Sequence, residues 1–369
     1  MASPSSRPEV YRCSEASGLE AGESAVPSSL LFGLGLAGNG LALALLWRHR
    51  CASRLRPQQC ALPPERPRAS AFYLLACALV ATDLLGKCLL SPMVLAAYAK
   101  NRSLSALGGG GERGGGSGGG GLCAPFAFLM AFFGLAPTAL LLGMALECYL
   151  SLAQPYFYER HTSRRRGALL AGLVGALCAT LCALPLLGFG RTVQYCPGTW
   201  CFMSLRGRGR EFAALYASLL GALVLAVAAT NLGTMHCLYR MALRQPPRHP
   251  WAKRGRRRKG PFPGRGATEE LAQIALLALM TALFTVCSSP VIIRAYVGAF
   301  YPDNDEKADL RALRFFSVNS IVDPWVFIIF RTSRFRSWLR RLSWKLSSKK
   351  APCAQQQESW QRQGSGPLQ

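Results

Sequence analysis

Seven ionisable side chains sit inside stretches that are otherwise apolar: Asp83, Lys87, Glu147, Arg294, Arg311, Arg314 and Asp323. An ion at the middle of a membrane costs about 2.5–3.5 kcal/mol on insertion scales, so each one asks for a named partner or a function. Arg294 and Arg311 lie near the ends of their stretches and are expected to reach the headgroups along their own stems. Arg314 is deeper, between apolar neighbours that include Phe315 and Phe316. Its guanidinium stays protonated and offers a planar fork suited to a carboxylate. Asp83 and Asp323 are the internal candidates, but both are expected nearer the middle or the far side, so a carboxylate brought by a ligand fits as well. Lys87, Ser91 and Tyr98 recur along nearly one face of a helix, a polar track rising to one end, and Ser317 stands one turn from Arg314. Asp83 and Lys87 are four residues apart, so they could instead neutralise each other. An apolar bundle with a deep arginine, a lysine and a tyrosine suits a small amphipathic acid.

Enzymatic chemistry finds little support. His49, His161, His236 and His249 lie in separate segments and no HExxH pair is present. Neither a GxSxG elbow nor a GxxxxGK[ST] phosphate loop occurs. The CPGTWC stretch lacks a second His/Cys pair to complete a metal site. No metal, cofactor or nucleic acid is therefore expected. A transporter of lipid carboxylates is the alternative of a different class, but transporters commonly repeat their halves, and no such repeat is evident.

The elements that must carry these residues follow from composition. Half of the 369 residues are hydrophobic and 17% are charged, yet Lys and Arg number 43 against 18 Asp and Glu, a formal charge of +25. Apolar and basic residues must be segregated, and they are. Apolar runs cover about 25–47, 69–99, 122–153, 167–190, 212–238, 271–300 and 310–330, each long enough to cross a ~30 Å hydrocarbon layer as a helix. The fold class expected is an all-α membrane protein, a seven-helix bundle over 25–330 with a tail at 1–24.

Counting Lys and Arg in the connecting segments gives 29 after spans one, three, five and seven, and 10 on the other side. The positive-inside rule then puts the amino-terminal tail outside the cell and the carboxy terminus in the cytoplasm, as expected of a plasma-membrane protein. No cleavable signal peptide is evident. The chain's only glycosylation tripeptide, Asn101-Arg102-Ser103, falls in a segment placed outside. Four of the 14 cysteines, Cys13, Cys123, Cys196 and Cys201, lie outside or at an outer helix end, and spacing leaves three pairings open. The glycine-rich insert at 108–121 reads as a flexible loop. The basic stretch at 251–266 suits anionic headgroups. Residues 331–346 have apolar and basic faces at helical spacing and are expected to lie in the interface, ahead of a disordered tail at 347–369 that carries Cys353, a palmitoylation candidate.

GNGLALALL with Asn39, ATDLL with Asp83, Cys123 opening span three, CSSP with Pro290, and Asp323-Pro324-Trp325 together resemble the rhodopsin-type G protein-coupled receptors. QYCPGTWCF and Arg314 nine residues before DPW are similar to the prostanoid receptors. TDLLGKCLLSP, DLRALRF and SIVDPW resemble that family's D-type branch. The resemblance implies a prostanoid ligand, prostaglandin D2 first, and a heterotrimeric G protein partner, Gs, that raises cyclic AMP. Prostacyclin-type and prostaglandin E-type receptors are the alternatives. It also implies that Arg314, Thr199 and Tyr98 hold the ligand carboxylate, that Lys87 faces the ring or a chain hydroxyl, and that Trp200 helps roof the site. It pairs Cys123 with Cys201 and Cys13 with Cys196. Asp83, Asn39, Asn319 and Asp323 match the family's polar core, where a sodium ion can bind. Glu147-Cys148-Tyr149 stands at the G protein end of span three, but Cys148 occupies the position of the usual arginine. Phe327 replaces a usual tyrosine, and CSSP lacks the usual tryptophan.

Overall fold

The computed structural model describes residues 11–14, 16–20, 24–54, 71–107, 121–244, 267–301 and 305–331. The glycine insert apart from Gly121, the basic stretch 251–266, the interfacial helix apart from Arg331, and the tail with Cys353 lie outside the described residues.

Seven long helices make the bundle: α1 (Val26–Arg54), α2 (Ala71–Lys100), α4 (Cys123–Ala153), α6 (Arg164–Ala183), α7 (Arg210–Arg244), α8 (Ala267–Phe300) and α9 (Glu306–Arg331). Two short helices, α3 (Leu104–Leu107) and α5 (Pro155–His161), lie in connections. The first six long helices hold stretches apolar and long enough to cross a membrane. At 26 residues α9 spans about 39 Å, but Asp309, Arg311, Arg314 and Asp323 lower its mean hydropathy.

Boundaries follow local chemistry. Ser163 caps α6 by accepting from the Arg166 amide at 3.3 Å. The expected fourth span ran to residue 190; α6 instead stops at Ala183, and a 3-10 turn follows at Leu184–Leu187. Pro185 supplies no amide donor for a continued α-helix, and Gly188, at φ +94°, takes the left-handed conformation that ends the turn. The seventh helix begins four residues earlier than expected because Asp305 Oδ1 accepts from the Ala308 amide at 3.0 Å. Inside α9, Pro324 also lacks an amide, and the carbonyl of Ser320 four residues earlier accepts instead from Asn39 Nδ2 at 2.9 Å, which stitches α1 to α9.

One end of the bundle is closed by a lid. Strands β1 (Thr192–Tyr195) and β2 (Trp200–Met203) form an antiparallel hairpin with Gln194 opposite Cys201, turning at Pro197-Gly198. Two disulfides fix it: Cys123–Cys201 ties β2 to the start of α4, and Cys13–Cys196 ties the turn to the amino-terminal tail. Their Cα separations, 5.4 and 5.1 Å, are ordinary for a bridge. Gln194 secures both neighbours, donating to Cys13 O at 2.7 Å and accepting from the Ser105 hydroxyl at 2.7 Å. Asn101 is exposed in the turn after α2 with φ +49°, a conformation that asparagine tolerates.

The apolar core runs unbroken from lid to bundle, joining Tyr11, Tyr195, Trp200 and Phe202 to Phe126, Tyr216, Phe284 and Phe316. Gly134 of α4 allows the closest approach in it: a Cβ there would collide with the Phe316 ring and lie 2.9 Å from the Tyr216 hydroxyl. Gly134→Ala should therefore destabilise the bundle by about 1–3 kcal/mol, seen as a lower thermal midpoint in detergent. An unchanged midpoint would show that Phe316 moves aside freely.

Candidate functional site

The lid end is organised around an acid. Asp309 lies in the first turn of α9, where a helix favours negative charge, and it is 1% exposed. One of its oxygens takes the Arg206 guanidinium that follows the hairpin, and the other accepts from Arg294 Nε of α8 at 2.6 Å. Arg294 also donates to Asp305 O at 3.1 Å. This corrects the expectation that Arg294 runs out to the headgroups: a carboxylate in reach is worth more to a half-buried guanidinium than water at the end of its stem. Arg311 does point outward, with a side chain 69% exposed, 3.8 Å from Asp305.

Tyr11 of the tail completes this junction. Its hydroxyl accepts from the Leu205 and Arg206 amides at 2.9 and 3.1 Å, and the Arg206 guanidinium lies over its ring at 5.2 Å. Burial, with smaller contributions around it, raises the Tyr11 pKa above the ordinary tyrosine value, so the phenol stays neutral. For Arg206, burial is the largest influence and opposes its charge, but hydrogen bonding and charge from Asp309 outweigh it and leave the pKa raised. Asp309 opens the DLRALRF stretch, one residue ahead of the seventh apolar run, and sequence alone assigned it no role. Its signal was position: an acid at the start of a helix, flanked in the fold by two arginines remote in sequence.

Below the lid lies a cavity with about 790 Å³ of space between atoms, its open mouth included. Ser28, Leu31, Lys87, Ser91, Phe126, Trp200, Phe316 and Ser317 line it, and Asp83, Thr138, Asn319 and Asp323 lie deeper on its walls. Three of the six expected ligand residues, Lys87, Trp200 and Ser317, therefore share one cavity. Arg314, Tyr98 and Thr199 are not among its lining residues. Ser28 and Leu31 of α1 were missed, since nothing in the first apolar run distinguishes a cavity-facing serine from a lipid-facing one.

Polar atoms above the cavity are short of partners. Tyr98 Oη, Thr199 Oγ1 and Trp200 Nε1 are buried and make no hydrogen bond among the described residues. A buried donor without an acceptor costs about 1–3 kcal/mol, so three donors near one end call for an acceptor brought from elsewhere. Lys87 lies close enough to Asp83 for the two charges to attract, and its ammonium donates to Ser317 O of α9 at 3.0 Å. Both Asp83 oxygens are buried with no hydrogen bond among the described residues, as are Asn39 Oδ1 and Asn319 Oδ1. The Asn319 amide donates to Ser288 Oγ at 2.8 Å, and that of Asn39 to Gly35 O and Ser320 O, both at 2.9 Å. Three oxygens on the cavity wall, two from Asp83 and one from Asn319, without donors among the described residues suit a hard cation.

At the opposite end, Glu147 accepts from Tyr158 Oη of α5 at 2.7 Å, a partner the sequence did not suggest. The ring of Tyr149 lies where Gly233 of α7 would carry a Cβ, 2.8 Å from that position. Cys148 sits between them.

Residues 65–327 match the model of the seven-transmembrane receptor family of the rhodopsin type. The chain is 51% identical over 339 residues to the prostaglandin D2 receptor of Mus musculus, covering 89% of this chain and 91% of that protein. It is 50% identical over 347 residues to the prostaglandin D2 receptor of Homo sapiens, covering 90% and 93%. It is 43% identical over 333 residues to the prostaglandin E2 receptor EP2 subtype of Canis lupus familiaris, covering 86% and 85%.

Asp309→Asn would leave two guanidiniums facing an amide in a dry junction. It should lower stability in detergent by about 3–5 kcal/mol, measured as a shift of the unfolding midpoint, with a loss of lid attachment. A midpoint equal to that of the parent would mean that the junction is solvated and not structural.

Proposed function

Because the chain belongs to the rhodopsin family of seven-transmembrane receptors, we propose that it is a plasma-membrane receptor for a prostanoid acid, prostaglandin D2 first. It couples to Gs and raises cyclic AMP. The observation that carries this reading is the set of buried donors at the lid end without acceptors among the described residues, Tyr98 Oη, Thr199 Oγ1 and Trp200 Nε1. A carboxylate supplies acceptor oxygens for hydroxyls and a planar partner for a guanidinium. About half of the aligned residues are identical in receptors named for prostaglandin D2, which supports that ligand over the E-type alternative at 43%.

In this reading Arg314, Tyr98 and Thr199 take the carboxylate and Trp200 roofs it. The apolar chain lies along Phe126 and Phe316, and the ammonium of Lys87 meets an oxygen of the ring or a chain hydroxyl beside Ser317. The tail and lid face outward, and Asn101 carries a glycan there. Asp83, Asn39, Asn319 and Asp323 hold a sodium ion in the inactive arrangement; the three wall oxygens without donors among the described residues support this, and the ion would add positive charge there. Ligand binding favours an arrangement in which the far ends of α7 and α8 separate, and that differential affinity is what raises affinity for the G protein. With Cys148 in place of an arginine, contact with the G protein falls to neighbours of the Glu147–Tyr158 pair.

Competition by a panel of prostanoids on membranes carrying the chain tests the reading. Prostaglandin D2 should displace best and should drive cyclic AMP accumulation in cells. Arg314→Ala should weaken its binding by at least ~30-fold, about 2 kcal/mol. Equal binding to the parent would remove the carboxylate assignment, and saturable uptake of labelled ligand into vesicles would favour a transporter.

A further inference from the structure

Gly35 lies buried in α1 with its Cα facing the lysine of α2. A Cβ built there would be 3.0 Å from Lys87 Cε and 3.1 Å from both its Cδ and Cγ. The stem of Lys87 therefore packs so closely on Gly35 that even a Cβ there would crowd it, and a larger side chain would press it away. Packed in that slot, the side chain delivers its ammonium to Ser317 O at 3.0 Å. The slot has little freedom to widen, because one turn along α1 the Asn39 amide binds both Gly35 O and Ser320 O at 2.9 Å. The ammonium also has a competing destination. Asp83 stands one turn earlier on α2, lines the same cavity, and has two buried carboxylate oxygens without a hydrogen-bond partner among the described residues. Charge attraction draws Lys87 toward it.

We propose that Gly35 is a positioning residue for Lys87: the missing side chain holds the ammonium beside Ser317, at the level where a ligand meets it, and away from Asp83. The proposal rests on the reading of Lys87 as a ligand contact. With a side chain at 35, the stem must leave the face of α1, and the ammonium either swings into the space the ligand needs or settles on Asp83.

A double-mutant cycle with labelled prostaglandin D2 on membranes separates this from general damage. Gly35→Val should weaken binding by roughly tenfold in the parent but by less than about twofold in Lys87→Ala, because the lysine through which it acts is gone. The ratio of prostaglandin D2 to prostaglandin E2 affinity should change in Gly35→Val and stay fixed between Lys87→Ala and the double variant. If Gly35→Val does not reach the membrane, Gly35→Ala carries the same cycle with a loss of about threefold. Equal losses in both backgrounds, or a Gly35 variant that binds as the parent does, would overturn the role of Gly35 alone. Absence of any prostanoid binding by the parent would overturn the receptor reading, and this inference with it.

Discussion

A carboxylate shared by two guanidiniums in a dry setting holds position far better than a surface pair, because removing any member strands a buried charge. Asp309 is that carboxylate. Through Arg206 it takes the chain leaving the hairpin, through Arg294 it takes α8, and its own backbone begins α9. Tyr11 binds the same stretch and brings the tail into place. The disulfides constrain where the hairpin can go, but the Asp309 junction fixes its exit against the two helices beneath. The polar groups above the cavity come from three separate pieces, Tyr98 from α2, Thr199 and Trp200 from the hairpin, and Arg314 from α9.

Beneath the lid, packing depends on what is missing from side chains. Gly134 lets the Phe316 ring lie against α4, and Gly35 lets a lysine stem lie against α1. Each places a cavity wall where an alanine would push it away. The cavity then continues from Trp200 down to Asp83 and Asp323. Behind its wall the Asn319 amide donates to Ser288 Oγ of the sixth span at 2.8 Å. Trp200, Lys87, Asp83 and Asp323 thus share one compartment, and a charge moved at one level is felt at the other across a low-dielectric medium.

The helical bundle was legible because long apolar runs have a single solution in a membrane. Where the reading missed, a local group decided: Pro185 ended α6 early, and Asp305 started α9 early. Isolated charges were found easily, but their partners were not. The partner of Arg294, Asp309, lies just outside the seventh apolar run, and sequence spacing cannot reveal that the Lys87 ammonium also meets a backbone carbonyl on α9. Glu147 and Tyr158 met through a short helix that no periodicity announced. Ser28, Leu31 and the gap at Gly35 depend on how α1 is rotated against its neighbours, which a uniformly apolar run does not encode.

The account depends most on an acid being the thing the lid end receives. The direct test compares prostaglandin D2 with its methyl ester in competition for the parent receptor, since esterification removes the charge and leaves the rest of the molecule nearly unchanged. The free acid should bind on the order of 100-fold more tightly, as expected for a charge-assisted pair of about 2.7 kcal/mol. Equal affinity of acid and ester would contradict the account.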